Sequence, residues 1–207
     1  METYGQIVLT GFVGSAGAKY LLKDRREELL KRFSASFLRP AENSADVSED
    51  ALKEAISVLC GNGIKDEALH AQDRPPVLFM LGEGGLYTAL WNMAASYRCG
   101  FRVRQSAVPI RQQTVEICNY FDVNPYGLYS EGCALLITGN ASEALRVLRE
   151  KGIPAAHIGI LTKEKKKVLL RKDEERFLLR PQKDPLEVLT GKTILKLQQI
   201  EKESTMQ

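Results

Sequence analysis

The residues best suited to chemistry are two glycine runs, Gly11, Gly14 and Gly17 spaced three apart, and Gly82-Glu83-Gly84-Gly85. Each follows a short apolar stretch and precedes a segment with helical spacing. A turn of that kind presents backbone N–H groups at the positive end of a helix, the physical basis of phosphate and carboxylate binding. The first run has neither a Walker lysine nor dinucleotide-fingerprint spacing, so close helix-to-sheet packing explains its glycines equally well. In the second, consecutive glycines allow close approach to a ligand, and Glu83 adds a carboxylate. The competing reading is a tight turn with Glu83 in solvent or against helix amides. Arg111 completes the candidate anion-binding set of Gly11, Gly14, Gly17, Gly82, Glu83, Gly84, Gly85 and Arg111. Arg102 and Arg104 are explained as well by paired surface charge. Tyr87 and Trp91 fall in the apolar helix after the second turn, where core packing accounts for them. No nucleophile and base stand beside either run, so no catalytic residue is assigned.

Metal chemistry finds no support. Cys60, Cys99, Cys118 and Cys133 are widely separated without a Cys-x-x-Cys pair, and His70 and His157 have no cysteine at ligand spacing. The net charge of +3 and charged fraction of 27% show no basic face of the kind nucleic acid requires, so nucleic acid is excluded as a partner. The basic run Lys163 to Lys167 reads as a solvated hairpin turn. No apolar run approaches the roughly 18–20 residues that span a bilayer, and the first residues lack a signal peptide's basic start and apolar core. A cytoplasmic protein without membrane contact is expected.

The elements that must position the glycine runs follow from apolar periodicity. Residues 6–10 read as a strand, followed by a glycine loop and a helix carrying Leu22, Leu29 and Phe33 that ends near Ser34. Residues 40–50 read as an exposed connection, then Leu52, Ala55, Ile56 and Leu59 mark a short helix stopped by Gly61-Asn62-Gly63. After a polar stretch over 64–75 comes a buried strand at 77–80, then the second glycine run and a helix with Leu86, Leu90, Met93 and Tyr97. A half-buried strand at 101–107, a helix through Thr114, Val115 and Cys118, a central strand at 133–138, a helix at 141–151 and a strand at 156–162 complete the alternation. A hairpin pairs 167–170 with 176–179. The tail, 184–203, is helical but interrupted by Gly191. This predicts an α/β (α+β) fold, a mixed sheet flanked by helices. One domain is expected over 1–182, with a partly frayed helical extension over 183–207.

The motifs carry a resemblance. Ile7-Val8-Leu9-Thr10 with its glycine loop, and Glu83-Gly84-Gly85-Leu86-Tyr87-Thr88-Ala89-Leu90-Trp91, resemble the C-terminal domain of the aminoimidazole-ribonucleotide (AIR) synthetase superfamily, particularly its hydrogenase maturation factors. The likeness continues through Val108-Pro109-Ile110-Arg111-Gln112-Gln113-Thr114, Asn124-Pro125-Tyr126, Ser130-Glu131-Gly132 and Gly152-Ile153-Pro154-Ala155-Ala156-His157, across about residues 5–182.

The resemblance implies a domain that forms one wall of a cleft, opposite an N-terminal half supplying the residues for ATP and metal and often the dimer interface. That half is expected to be absent here, so no cofactor is assigned, with ATP and magnesium entering only through a partner. The family's aspartate and hydroxyl residue before the glycine pair correspond to Met80 and Gly82, and the cysteine tail of the carboxamide-dehydrating factor has no counterpart in Glu203-Ser204-Thr205-Met206-Gln207. The leading reading is a noncatalytic or partner-dependent protein, linked to hydrogenase maturation, that binds a phosphate-bearing small molecule or a protein partner. Two alternatives stand beside it. One is an ATP-dependent enzyme subunit completed by a separate N-terminal-half protein or a homo-oligomeric partner; the other is a structural or regulatory oligomerisation module.

Overall fold

The computed structural model describes residues 3–42, 47–61, 76–172 and 174–205. His70, the Asn62-Gly63 helix stop and the polar stretch 64–75 lie outside the described residues. So does the middle of the connection read at 40–50.

The sheet is built around its first strand. β1 (Thr3–Thr10) lies between β4 (Ala134–Thr138) and β5 (Ala155–Thr162), antiparallel to both, with Ile7 opposite Ile137 on one side and Gly159 on the other. Among the described residues the full order is β2-β4-β1-β5-β3-β6-β7, adding β2 (Val77–Met80), β3 (Gly100–Arg104), β6 (Lys167–Arg171) and β7 (Glu174–Phe177). The β3–β6 pair is parallel and the other neighbours antiparallel, which makes the sheet mixed as expected.

Strand side chains alternate between faces, so β1 and β4 feed two cores. Ile7, Leu9, Leu135 and Ile137 point to the face covered by α5 (Gly85–Ser96) through Leu86, Leu90 and Met93. Val8, Ala134 and Leu136 point to the other face, under α4 (Glu49–Gly61) and α7 (Ala141–Glu150). A third cluster joins α1 (Ser15–Asp24), α3 (Ala35–Glu42), α6 (Gln112–Tyr120) and the C-terminal helices α8 (Pro185–Thr190) and α9 (Ile194–Thr205), with Leu21, Leu38, Ile117, Leu186 and Leu197 all buried. Among the described residues no helix is long and apolar enough to cross a membrane.

Several elements differ from the sequence reading. The strand expected over 101–107 ends at Arg104, and Gln105–Ala107 turn into a 3-10 helix. The helix expected to run to Ser34 stops at Asp24; Arg25 leaves helical geometry (φ −122°, ψ 30°), and α2 (Arg26–Leu30) restarts with Leu29 still fully buried. The seven-residue spacing from Leu22 to Leu29 preserves the buried side whether or not the backbone is continuous. The connection expected from Pro40 is instead the end of α3, whose first turn is capped by Ser34 Oγ accepting from Phe37 N at 3.2 Å.

The basic run at 163–167 is not a hairpin turn. β5 and β6 are separated in the sheet by β3, so residues 163–166 cross over the start of that strand. The crossing explains Gly100: a Cβ there would stand 2.1 Å from the Glu164 carbonyl oxygen and 2.2 Å from that of Lys166. Gly191 interrupts the tail as expected, closing α8 in the left-handed region at φ 65°.

Candidate functional site

Both glycine runs form the expected strand–turn–helix junctions. Gly14 (φ 74°) caps α1 and Gly84 (φ 70°) caps α5, each in the left-handed region that glycine adopts without steric cost. Between them lies the segment 125–130, which touches both turns. A Cβ on Gly85 would stand 2.4 Å from the Leu128 carbonyl oxygen, one on Gly14 3.0 Å from that of Pro125, and one on Gly17 2.5 Å from the Leu128 side chain. Ser130 fastens the assembly. Its hydroxyl accepts from Gly14 N at 2.8 Å and donates to the Leu128 carbonyl at 2.7 Å, while its amide donates to the Gly82 carbonyl at 3.1 Å.

Most of these glycine amides therefore have partners within the chain. Gly11 N donates to the Pro154 carbonyl at 2.8 Å, Gly17 N to that of Tyr129 at 2.9 Å, and Gly85 N to that of Gly82 at 3.1 Å. Gly84 N meets a carboxylate that sequence reasoning missed: Asp184 Oδ2 accepts from it at 2.7 Å, across 100 residues of chain. The other oxygen, Oδ1, accepts from Leu186 N at 2.8 Å and caps α8. The side chain is 1% exposed, and burial raises its pKa above the ordinary carboxylate value, outweighing the amides of Gly84, Leu186 and Tyr129 that favour the charged form. The second turn thus already holds an anion, one built into the fold. The available signal was Asp184-Pro185, a capping residue followed by proline at the first helical position, but its partner at Gly84 has no local signature. Glu83 is exposed, and a Cβ on Gly82 would meet nothing within 4 Å.

The first turn is different. Gly11 and Arg111 line the same cavity of about 320 Å³, beside Phe12, Ser15, Lys151 and Pro154; Gly14, Gly17 and residues 82–85 do not line it. The Arg111 guanidinium lies over the Phe12 ring, 4.3 Å from its centroid. Its Nε is buried without a hydrogen-bond partner among the described residues, and so is the hydroxyl of Ser15, which is 8% exposed at the first position of α1. Buried polar groups are seldom left unsatisfied. An arginine Nε–H can only donate, and a serine hydroxyl donates readily, so what completes this pair is an acceptor, favoured further by the positive end of α1. The other charges nearby have partners. Lys151 is paired with Glu54, and Glu131 accepts from Tyr129 Oη and from Gln198 Nε2.

Residues 77–172 match the family described as AIR synthase related protein, C-terminal domain. No curated protein sequence matches the chain. Among solved structures, the hydrogenase maturation protein HypE of E. coli superposes with a TM-score of 0.67 at 20% identity, covering 90% of this chain and 52% of that one. HypE in complex with ATP gives 0.66 at 23%, covering 89% and 53%. Thiamine-monophosphate kinase from Stenotrophomonas maltophilia K279a gives 0.55 at 14%, covering 84% and 52%. The chain spans about half the length of these proteins, and at such identities the likeness is one of fold.

Proposed function

We propose that this chain is an AIR synthase related protein, a reading supported by the family match over residues 77–172 and the shared fold, and that it holds an anionic, phosphate-bearing small molecule in the cavity beside its first glycine turn. The observation that carries the proposal is the pair of buried donors, Ser15 Oγ and Arg111 Nε, left without partners on one cavity wall. Gly11 shapes that wall with its backbone, because a Cβ there would lie 2.8 Å from Cys133 Sγ. Binding is the function, and any transformation of the ligand depends on groups supplied by a partner polypeptide. Among the relatives, one solved assembly is a HypE–HypF complex and another holds ATP. A partner-dependent role linked to hydrogenase maturation fits that company.

The test is calorimetric titration with inorganic phosphate and with pyrophosphate. Saturable binding is expected, weakened about tenfold, or about 1.4 kcal/mol, in both Ser15→Ala and Arg111→Met. The unliganded Ser15→Ala protein should be as stable as the parent or more so by up to about 1 kcal/mol, because an unsatisfied buried hydroxyl has been removed. No saturable binding, or equal affinity in parent and variants, would overturn the proposal.

A further inference from the structure

A second cavity, of about 720 Å³, opens at the β7 edge of the sheet, between the end of α5 that carries Tyr87 and the β6–β7 hairpin. Its inner wall is a stacked pair of rings, Tyr87 and Tyr126, with centroids 5.5 Å apart and planes 15° from parallel. Gln105 reaches both phenols: its Nε2 donates to Tyr87 Oη at 2.7 Å, and Tyr126 Oη donates to its carbonyl at 3.3 Å. The rings are half-buried, so the stack forms a rigid aromatic surface at the cavity's floor.

The outer wall is cationic. Arg171, Lys172, Arg176 and Arg180 line it, and no carboxylate among the described residues does. Arg176 is engaged by Glu174 through Nε and Nη2 at 3.1 and 2.8 Å. Arg171 and Arg180, both exposed, have no carboxylate partner among the described residues. Arg171 is close enough to both phenols to favour their ionised forms, although burial dominates and raises the pKa of each. A positive rim over an immobilised aromatic floor, in a volume within the ~300–1,000 Å³ usual for small-ligand sites, selects for a flat ring joined to an anion.

We propose that the groove between the Tyr87–Tyr126 stack and the Arg171–Arg180 rim binds a planar, phosphate-bearing small molecule of mononucleotide size, ring on the tyrosines and phosphate on the arginines. The site is separate from the Ser15–Arg111 cavity, and the two share no lining residue. AMP is the probe, with adenosine and inorganic phosphate as its separated halves, titrated into the full chain and followed by calorimetry and by contacts between the AMP base protons and tyrosine rings in NMR spectra.

AMP should bind at least about tenfold more tightly than either half, because ring and phosphate each find a partner. In Arg111→Met, which takes the first cavity's anion site out of the titration, AMP should still bind the groove, and adding Arg171→Glu/Arg180→Glu, which alters exposed side chains and leaves the core intact, should weaken it at least about tenfold. Phosphate matching AMP in affinity in the Arg111→Met background would reduce the groove to unspecific positive charge and overturn the proposal. AMP binding lost in Arg111→Met but kept in Arg171→Glu/Arg180→Glu alone would overturn it too, while supporting the first cavity.

Discussion

Removing the Asp184 carboxylate tests whether the second glycine turn is held by the chain's own anion. In Asp184→Ala, the amides of Gly84 and Leu186 lose acceptors at 2.7 and 2.8 Å, and both residues are buried. Leaving a buried donor unsatisfied costs about 1–3 kcal/mol, so two such losses amount to about 2–6 kcal/mol. Burial of the carboxylate acts in the other direction, as its raised pKa shows, and deleting it recovers part of that sum. A net destabilisation of about 2–4 kcal/mol is expected, which for a chain of this size lowers Tm by roughly 5–15 °C. Urea unfolding followed by the fluorescence of Trp91, the single tryptophan, reports on α5 just beyond the turn. Asp50→Ala, at an exposed position on α4, serves as control and should change stability by less than about 0.5 kcal/mol. If Asp184→Ala stays within about 1 kcal/mol of the parent and its Trp91 spectrum is unshifted, water satisfies the amides and the clasp does not hold the turn.

The same carboxyl predicts a pH dependence. Its pKa is raised in the fold above the ordinary value of 3.8, so folding takes up a proton; the stability contributed by this group is greatest near and below that value and fades as pH rises through the folded pKa. Urea unfolding between about pH 4 and 7 should therefore show a more negative slope of stability against pH in the parent than in Asp184→Asn, and equal slopes would count against it. Gly85→Ala meets the Leu128 carbonyl at 2.4 Å in a backbone conformation with φ +54°, whereas Gly82→Ala meets nothing. The first should cost more than about 3 kcal/mol and the second less than about 0.5 kcal/mol, so similar melting temperatures would refute the packing account. Gly100→Ala drives a methyl into the β5–β6 crossing and should cost at least about 1–3 kcal/mol, read by thermal unfolding.

Local periodicity made much of this fold legible. The stretch Ala134–Thr138 and the apolar positions of α5 and α7 stand out because their spacing is set by neighbours a few residues away. Pairing is another matter. Nothing local distinguishes residues 163–166 as a hairpin turn from the same residues as a bridge over β3, because the intervening strand begins some sixty positions earlier. The candidate site divides along the same line. Gly11 and Arg111 were legible as residues, and the fold brings them to one cavity; Ser15 was overlooked because a serine at a helix start ordinarily signals capping. The glycines of the second turn were legible as a motif but not as a packing device, since what they accommodate, the 125–130 segment, is contiguous with neither turn.

The central position of β1 bears on how the molecule is made. Its two neighbours, β4 and β5, begin at Ala134 and Ala155, so β1 waits for more than a hundred further residues to be made before either edge is covered. Nascent chains ending before about residue 162 would leave Ile7, Val8 and Leu9 without one of their two partner strands, and slow, late consolidation is the expected outcome of such distant pairings.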